Sequence, residues 1–291
     1  MNQRCTAAAM ARGDQLAGTT TLVRSFLLVE HPGPWGEVAL RDSRLPERTR
    51  AWLRRTVAEA RVRVLLVRRP GARAGGPTRV FAIRTGDWCE TAELHHIDDL
   101  TSLDLTPLAS GRSVGLERRS EPLVLVCTHG RHDACCAERG RPVAAALARV
   151  APDQVWECSH VGGDRFSGNV LVLPRGLGFG WVDPERGPAL LEDLSRGLLD
   201  LDRMRGRATL PMAAQYAEIH LRRELDEPRD DAVRYAGARQ EGDETVATFE
   251  VDGSAYEVRV RSSSAPPATL TCRALRESPV PRHEVTATTR R

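Results

Sequence analysis

Apolar runs broken by Gly/Pro clusters divide the chain into short strands and helices. Leu22 to Glu30 (LVRSFLLVE) reads as a buried strand, closed by the turn chemistry of HPGPWG at 31–36. A helix is predicted in PERTRAWLRRTVAEAR, where Leu53, Val57 and Ala60 fall at i, i+4 and i+7 behind Pro46. Strands follow at 61–69 and 79–85, with the loop PGARAGGPT between them, and the polar stretch 98–121 reads as a connection. A second unit opens with the apolar strand Leu123 to Val126, which runs into Cys127. A Cys/His-rich loop comes next, then a helix from Pro142 to Val150 with proline in its first turn. The strand VWECSH, the turn VGGD, the strand NVLVLP and a helix from Pro188 to Met204 complete an order that suits a thioredoxin-like sheet.

The last third offers a helix with Met212, Tyr216 and Ile219 on one face, then a hairpin in which TVATFEV and AYEVRVR alternate around Asp252-Gly253. ATLTCRAL is a candidate further strand. The expected organisation is a disordered start at 1–18, an α/β unit at 19–100, a central domain at 121–205, a helix and hairpin unit at 208–277 and a disordered tail at 278–291.

Composition narrows the function classes. An apolar share of 41% and a charged share of 28% suit a folded globular chain rather than a disordered one. All 42 basic residues are arginine, but 39 acidic residues are interspersed and no basic block stands alone, so no nucleic-acid partner is expected. No apolar run is long enough for a bilayer, and MNQRCTAAAMARGDQ lacks the core of a secretory signal. The expectation is a cytoplasmic protein with no membrane association. Seven cysteines, an odd number, argue against a disulfide framework in that compartment, and four of the seven fall within 32 residues.

Those four belong to the chemistry-bearing stretch. Cys127-Thr-His-Gly-Arg-His-Asp-Ala-Cys-Cys136 is followed by Cys158-Ser-His-Val-Gly-Gly-Asp-Arg-Phe166, so two soft donor clusters lie about 25 residues apart. A metal needs several donors on a small polyhedron, and two loops at one end of a sheet supply them efficiently. Cys127 ends a strand and Cys136 precedes a helix, while His160 and Asp164 flank a pair of glycines that permit a tight turn.

This pattern, with Ser-His-x-Gly-Gly-x-Arg-Phe-x-x-Asn after it, resembles the sucrase/ferredoxin-like family of thioredoxin-like ferredoxins. The resemblance is specific over residues 121–182 and looser from Arg24 to Cys272, including the GPWG turn and the AAQYAE helix. It implies an α/β (α+β) chain with a thioredoxin-like ferredoxin domain in the centre, preceded by a smaller α/β unit and followed by a helix and β-hairpin extension. It also implies a [2Fe-2S] cluster, held in fungal members by two cysteines and two histidines. Cys127, Cys136 and His160 carry over by position. Asp164 stands where those relatives have the second histidine, so it is the favoured fourth ligand, with Cys158, Cys135, His129 and His132 as alternatives. By formal charge a Cys2HisAsp site is one unit more negative than a bis-histidine site and one less negative than a four-cysteine site, which predicts a potential between the two.

Plainer roles stand beside these. Cys158 lies in an apolar strand, where a core thiol is the default, and Cys5, Cys89 and Cys272 take the same reading. Asp133 is placed to cap a helix, and Arg165, Phe166 and Asn169 to brace the glycine turn. The leading expectation is one-electron transfer with an unidentified redox partner protein. Thiol–disulfide chemistry at Cys127, Cys135 or Cys136 and a structural zinc site are the competing readings. No pair of carboxylates is singled out for sugar hydrolysis.

Overall fold

The computed structural model describes residues 4–71 and 76–291. The first three residues of the expected disordered start, and residues 72–75 of the PGARAGGPT loop, lie outside the described residues. In chain order the elements are α1 (Cys5–Arg12), β1 (Ser25–Glu30), the short α2 (Ala39–Asp42), α3 (Glu47–Glu59), β2 (Arg63–Arg68), β3 (Thr78–Arg84) and β4 (Trp88–Leu94). Then come β5 (Glu117–Arg118), β6 (Leu123–Cys127), α4 (Ala134–Val150), β7 (Val155–Cys158), β8 (Val170–Leu173), β9 (Leu177–Phe179) and α5 (Arg186–Ser195). The last are β10 (Met204–Arg207), α6 (Met212–Glu224), β11 (Val233–Glu241), β12 (Glu244–Val251), β13 (Ser254–Ala268) and β14 (Ser278–Arg290). This is a mixed α+β protein, as the sequence predicts.

The chain forms two compact units, each discontinuous in sequence. One comprises Val23–Val161 and Val170–Gly176, the other Met1–Leu22, Gly162–Asn169 and Leu177–Arg291. The first unit is built on a sheet with strand order β8-β6-β7-β2-β1-β3-β4-β5. β6 pairs parallel to β7 and antiparallel to β8, the strand–helix–strand–strand arrangement expected of a thioredoxin-like half. β1 pairs parallel to β2, with α3 in the crossover between them. β2 and β7 join these halves antiparallel, with Val67 opposite Cys158. The inner strands are apolar on both faces, as strands covered on both sides must be. One face gathers Phe26, Leu65, Phe81, Leu125, Trp156 and the thiols of Cys127, Cys136 and Cys158. The other gathers Leu27, Leu53, Leu66 and Val80 with Trp35.

The second unit packs α6 on the antiparallel sheet β11-β12-β13-β14, with a core of Leu221, Phe249, Val258 and Val260. β12 and β13 meet at the predicted turn, where Asp252 and Gly253 both take positive φ, the backbone of a tight two-residue hairpin.

Several expectations are corrected. The start and tail are ordered where described: Cys5–Arg12 is a helix that buries Cys5, Thr6 and Ala9, and Ser278–Arg290 is a strand paired along β13. In ATLTCRAL only Ala268 is in a strand, as the end of β13, and residues 269–275 form no further strand. The helix expected from Pro142 begins eight residues earlier at Ala134, because Asp133 caps it by accepting from the Cys135 N–H at 2.9 Å; Pro142 is interior. The stretch 88–94, read as no element, is β4, in which Glu90 is buried and Glu93 is exposed. On α3 the buried line is Thr49, Leu53 and Thr56 while Val57 is exposed, and on α6 Ala213, Ala217 and Leu221 are buried while Met212 is exposed.

Candidate metal centre

Cys127 and Cys158 end neighbouring parallel strands in direct register, so both thiols lie on one sheet face. After Cys127 the chain turns through residues 128–133, then enters α4, whose first turn carries Cys135 and Cys136, both buried. The helix comes close to the strand end at Gly140, where an added Cβ would lie 2.1 Å from the Cys127 carbonyl oxygen. Gly140 is one helical turn beyond Cys136, so the bare glycine lets the helix face bearing Cys136 settle against Cys127. His160 follows β7 by two residues. Its position is set by Ser159, whose N–H donates to the Leu66 carbonyl at 2.8 Å and whose hydroxyl accepts from the Leu66 N–H at 3.0 Å. The result is a group of three donors, Cys127 Sγ, Cys136 Sγ and a His160 ring nitrogen, all within 4.8 Å of one another.

The loop histidines hold this arrangement. His129 Nε2 donates to the Gly36 carbonyl at 2.9 Å, and its Nδ1 accepts from the His160 N–H at 3.2 Å. A carbonyl only accepts and an amide N–H only donates, so His129 must be the neutral Nε2–H tautomer. Burial also pushes its pKa down. Both nitrogens are committed, which leaves His129 as a positioning residue. His132 Nδ1 donates to the Glu37 carbonyl at 3.2 Å, and its ring stacks on His160 with centroids 3.9 Å apart. The acceptors for the two histidines are the last residue of the GPWG turn and the residue after it, and Gly36 has φ +73 and no room for a side chain.

Electrostatics divide the cysteines. The Cys127 thiol is held well below its ordinary range, chiefly by a hydrogen bond from Cys136 and next by His160, against the opposing effect of burial. Cys158 is pushed well above that range, first by burial and then by the charge of Cys127. The thiolate character therefore concentrates at Cys127, while Cys158 remains a protonated core thiol outside the three-donor group. The half-buried Arg63 guanidinium stands near both sulfurs and donates to the His160 carbonyl at 2.9 Å. Burial lowers its pKa, and Cys158 and Cys127 act in the opposite direction. Arg63 was not singled out from sequence. Its signal is an arginine at the core-facing parity of RVRVLLV, in step with Leu65 and Val67.

The remaining candidates are not members of this group of Cys127, Cys136 and His160. Cys135 is buried but outside the three-donor group of its unit. Asp164 belongs to the other unit, in the 3-10 turn Asp164–Phe166, where it is buried and its backbone carbonyl accepts from Ser167 Oγ at 2.7 Å and Thr6 Oγ1 at 3.1 Å. Arg165 pairs with Asp14 at 3.1 Å and lies over the Phe166 ring. Asn169 braces the glycine turn by donating to the Gly163 carbonyl at 2.9 Å, joined by Arg205, which donates to the Gly162 carbonyl at 3.0 Å and to Asn169 Oδ1 at 2.7 Å.

Among the described residues no helix is long and apolar enough to cross a membrane. Comparison with known proteins finds no matching curated protein and no matching solved structure. A family model does match, over residues 16–206, about two-thirds of the chain and a span that contains the whole three-donor group. The chain belongs to the sucrase/ferredoxin-like family.

Proposed function

We propose that this protein is a one-electron carrier that holds a [2Fe-2S] cluster through Cys127, Cys136 and His160, with Asp164 as the fourth ligand. The observation that carries the reading is the convergence of two buried thiols and an imidazole within 4.8 Å. The donor set fits the group: iron–sulfur clusters take thiolates, and imidazole replaces thiolate in one known class. Cys127 is already biased toward thiolate, and Arg63 supplies positive charge beside the sulfurs. Asp164 is assigned from its position in the motif, four residues after His160. Bound there, the cluster would supply reversible one-electron chemistry.

The chain's own residues would shield and orient it. Cys127 and Cys136 are buried, whereas His160 is partly exposed, so the imidazole side is the one open to a redox partner protein. His129 fixes the His160 backbone, and Arg63 grips the His160 carbonyl from β2. The low Cys127 pKa also favours a second reading, in which Cys127 is a redox-active nucleophile and Cys136 its hydrogen-bond donor.

The test is anaerobic purification from iron-sufficient cells, followed by visible absorption and iron, sulfide and zinc analysis. The expected result is a reddish-brown protein with about two irons and two sulfides per chain. Cys127→Ser and His160→Ala should lose the colour, Asp164→Ala should shift or lose it, and Cys158→Ala should keep it. A colourless protein with about one zinc would replace the proposal by a structural site. A metal-free protein whose Cys127 reacts with disulfides would replace it by thiol chemistry.

A further inference from the structure

Cys5 and Cys272 lie 267 positions apart in sequence, yet their sulfurs are 3.5 Å from each other. The Cys5 backbone N–H also points at Cys272 Sγ, at 3.5 Å. Both residues belong to the same compact unit, and neither is among the three donors around Cys127. Cys5 opens α1 and is 1% exposed, while Cys272 is partly exposed in the turn segment between β13 and β14. From this juxtaposition we propose that Cys5 and Cys272 form a reversible disulfide, a modification site for oxidised low-molecular-weight thiols.

The reaction balances with one small-molecule disulfide, RSSR. The Cys272 thiolate, the more accessible of the two, attacks one sulfur of RSSR, forming a mixed disulfide and releasing RS⁻. The Cys5 thiolate then attacks Cys272 Sγ, forming the Cys5–Cys272 bond and releasing the second RS⁻. The two protons from the protein thiols convert both leaving groups to RSH, and two electrons pass from the protein to the small molecule. Bond formation needs the sulfurs to close to about 2.0 Å. Cys272 is in a turn, so that movement displaces a connection and leaves the ladder of β13 and β14 in place. The bond would tie the first helix to the segment before the last strand. It would enclose nearly the whole chain, a large restriction on the unfolded ensemble.

The test uses the full-length protein as purified, incubated with oxidised glutathione, quenched in acid, alkylated with N-ethylmaleimide and digested with trypsin without reduction. Trypsin isolates each cysteine in its own peptide, Cys5–Arg12 and Ser262–Arg273. The expected result is these two peptides joined, with a loss of two hydrogens in the intact mass and faster migration on a non-reducing gel, all reversed by reductant and absent in Cys272→Ser. Maleimide or glutathione on both cysteines, or linkage of either to a different cysteine, would overturn the proposal. So would protection of both thiols that is relieved by a chelator and not by a reductant, which would mean a metal holds them.

Discussion

Both nitrogens of His129 meet backbone groups, and one of those bonds holds the His160 N–H. His129→Phe keeps a ring against Trp35 but leaves the His160 N–H and the Gly36 carbonyl without this partner. We expect a loss of about 1–3 kcal/mol in denaturant unfolding and a severalfold weaker metal retention, whereas a ligand substitution should abolish the metal with little change in apo-protein stability. Arg63→Leu removes the positive charge beside Cys127. The expected outcome is a higher Cys127 pKa, read from the pH dependence of its alkylation in metal-free protein. Cys89 provides the pH test. Burial pushes its thiol up to about 12. A thiol in the unfolded chain ionises near 8.5, so above that pH the unfolded state binds fewer protons than the folded one. Stability should fall as pH rises from about 9 to 12, and Cys89→Ala should flatten that slope in unfolding curves measured across the range.

At the scale of elements, α4 sets the geometry of the centre. The proline at 142 invites the expectation that the helix begins there, since proline is tolerated in a first turn and costly inside. The start is instead decided by Asp133, and the extra turns place Cys136 and Gly140 on one face against the end of β6. Gly140→Ala should push the helix away from Cys127, with overpacking of about 1–3 kcal/mol. The measurements are melting temperature and metal content, and both should drop. The strands of the central half were legible because their apolar runs are short and bounded by Gly, Pro and polar residues. β4 was not, since in WCETAEL the adjacent polar residues Glu90 and Thr91 break the apolar/polar alternation, and the strand rests on pairing with β3.

At the scale of the whole molecule, the family match ends at residue 206, and the four-stranded sheet from Val233 to Arg290 lies beyond it. That sheet covers the apolar face of α6, including Ala213, Ala217 and Leu221. Ending the chain after Asp231 should expose this face and give aggregates on size-exclusion chromatography, with unassociated protein at full length as the control. The sequence by itself determined the α/β class, the strand leading into Cys127, the hairpin at Asp252-Gly253, and the motif in which Cys127, Cys136 and His160 are candidate donors. Each depends on local periodicity, turn chemistry or motif spacing, which a few neighbouring residues encode. Only the tertiary structure decided the tautomer and role of His129, the approach of Arg63 to the thiols, the capped start of α4 and the meeting of Cys5 with Cys272. These depend on which distant segments pack together, and that is set by burial and hydrogen-bond satisfaction summed over the whole chain rather than by any window along it.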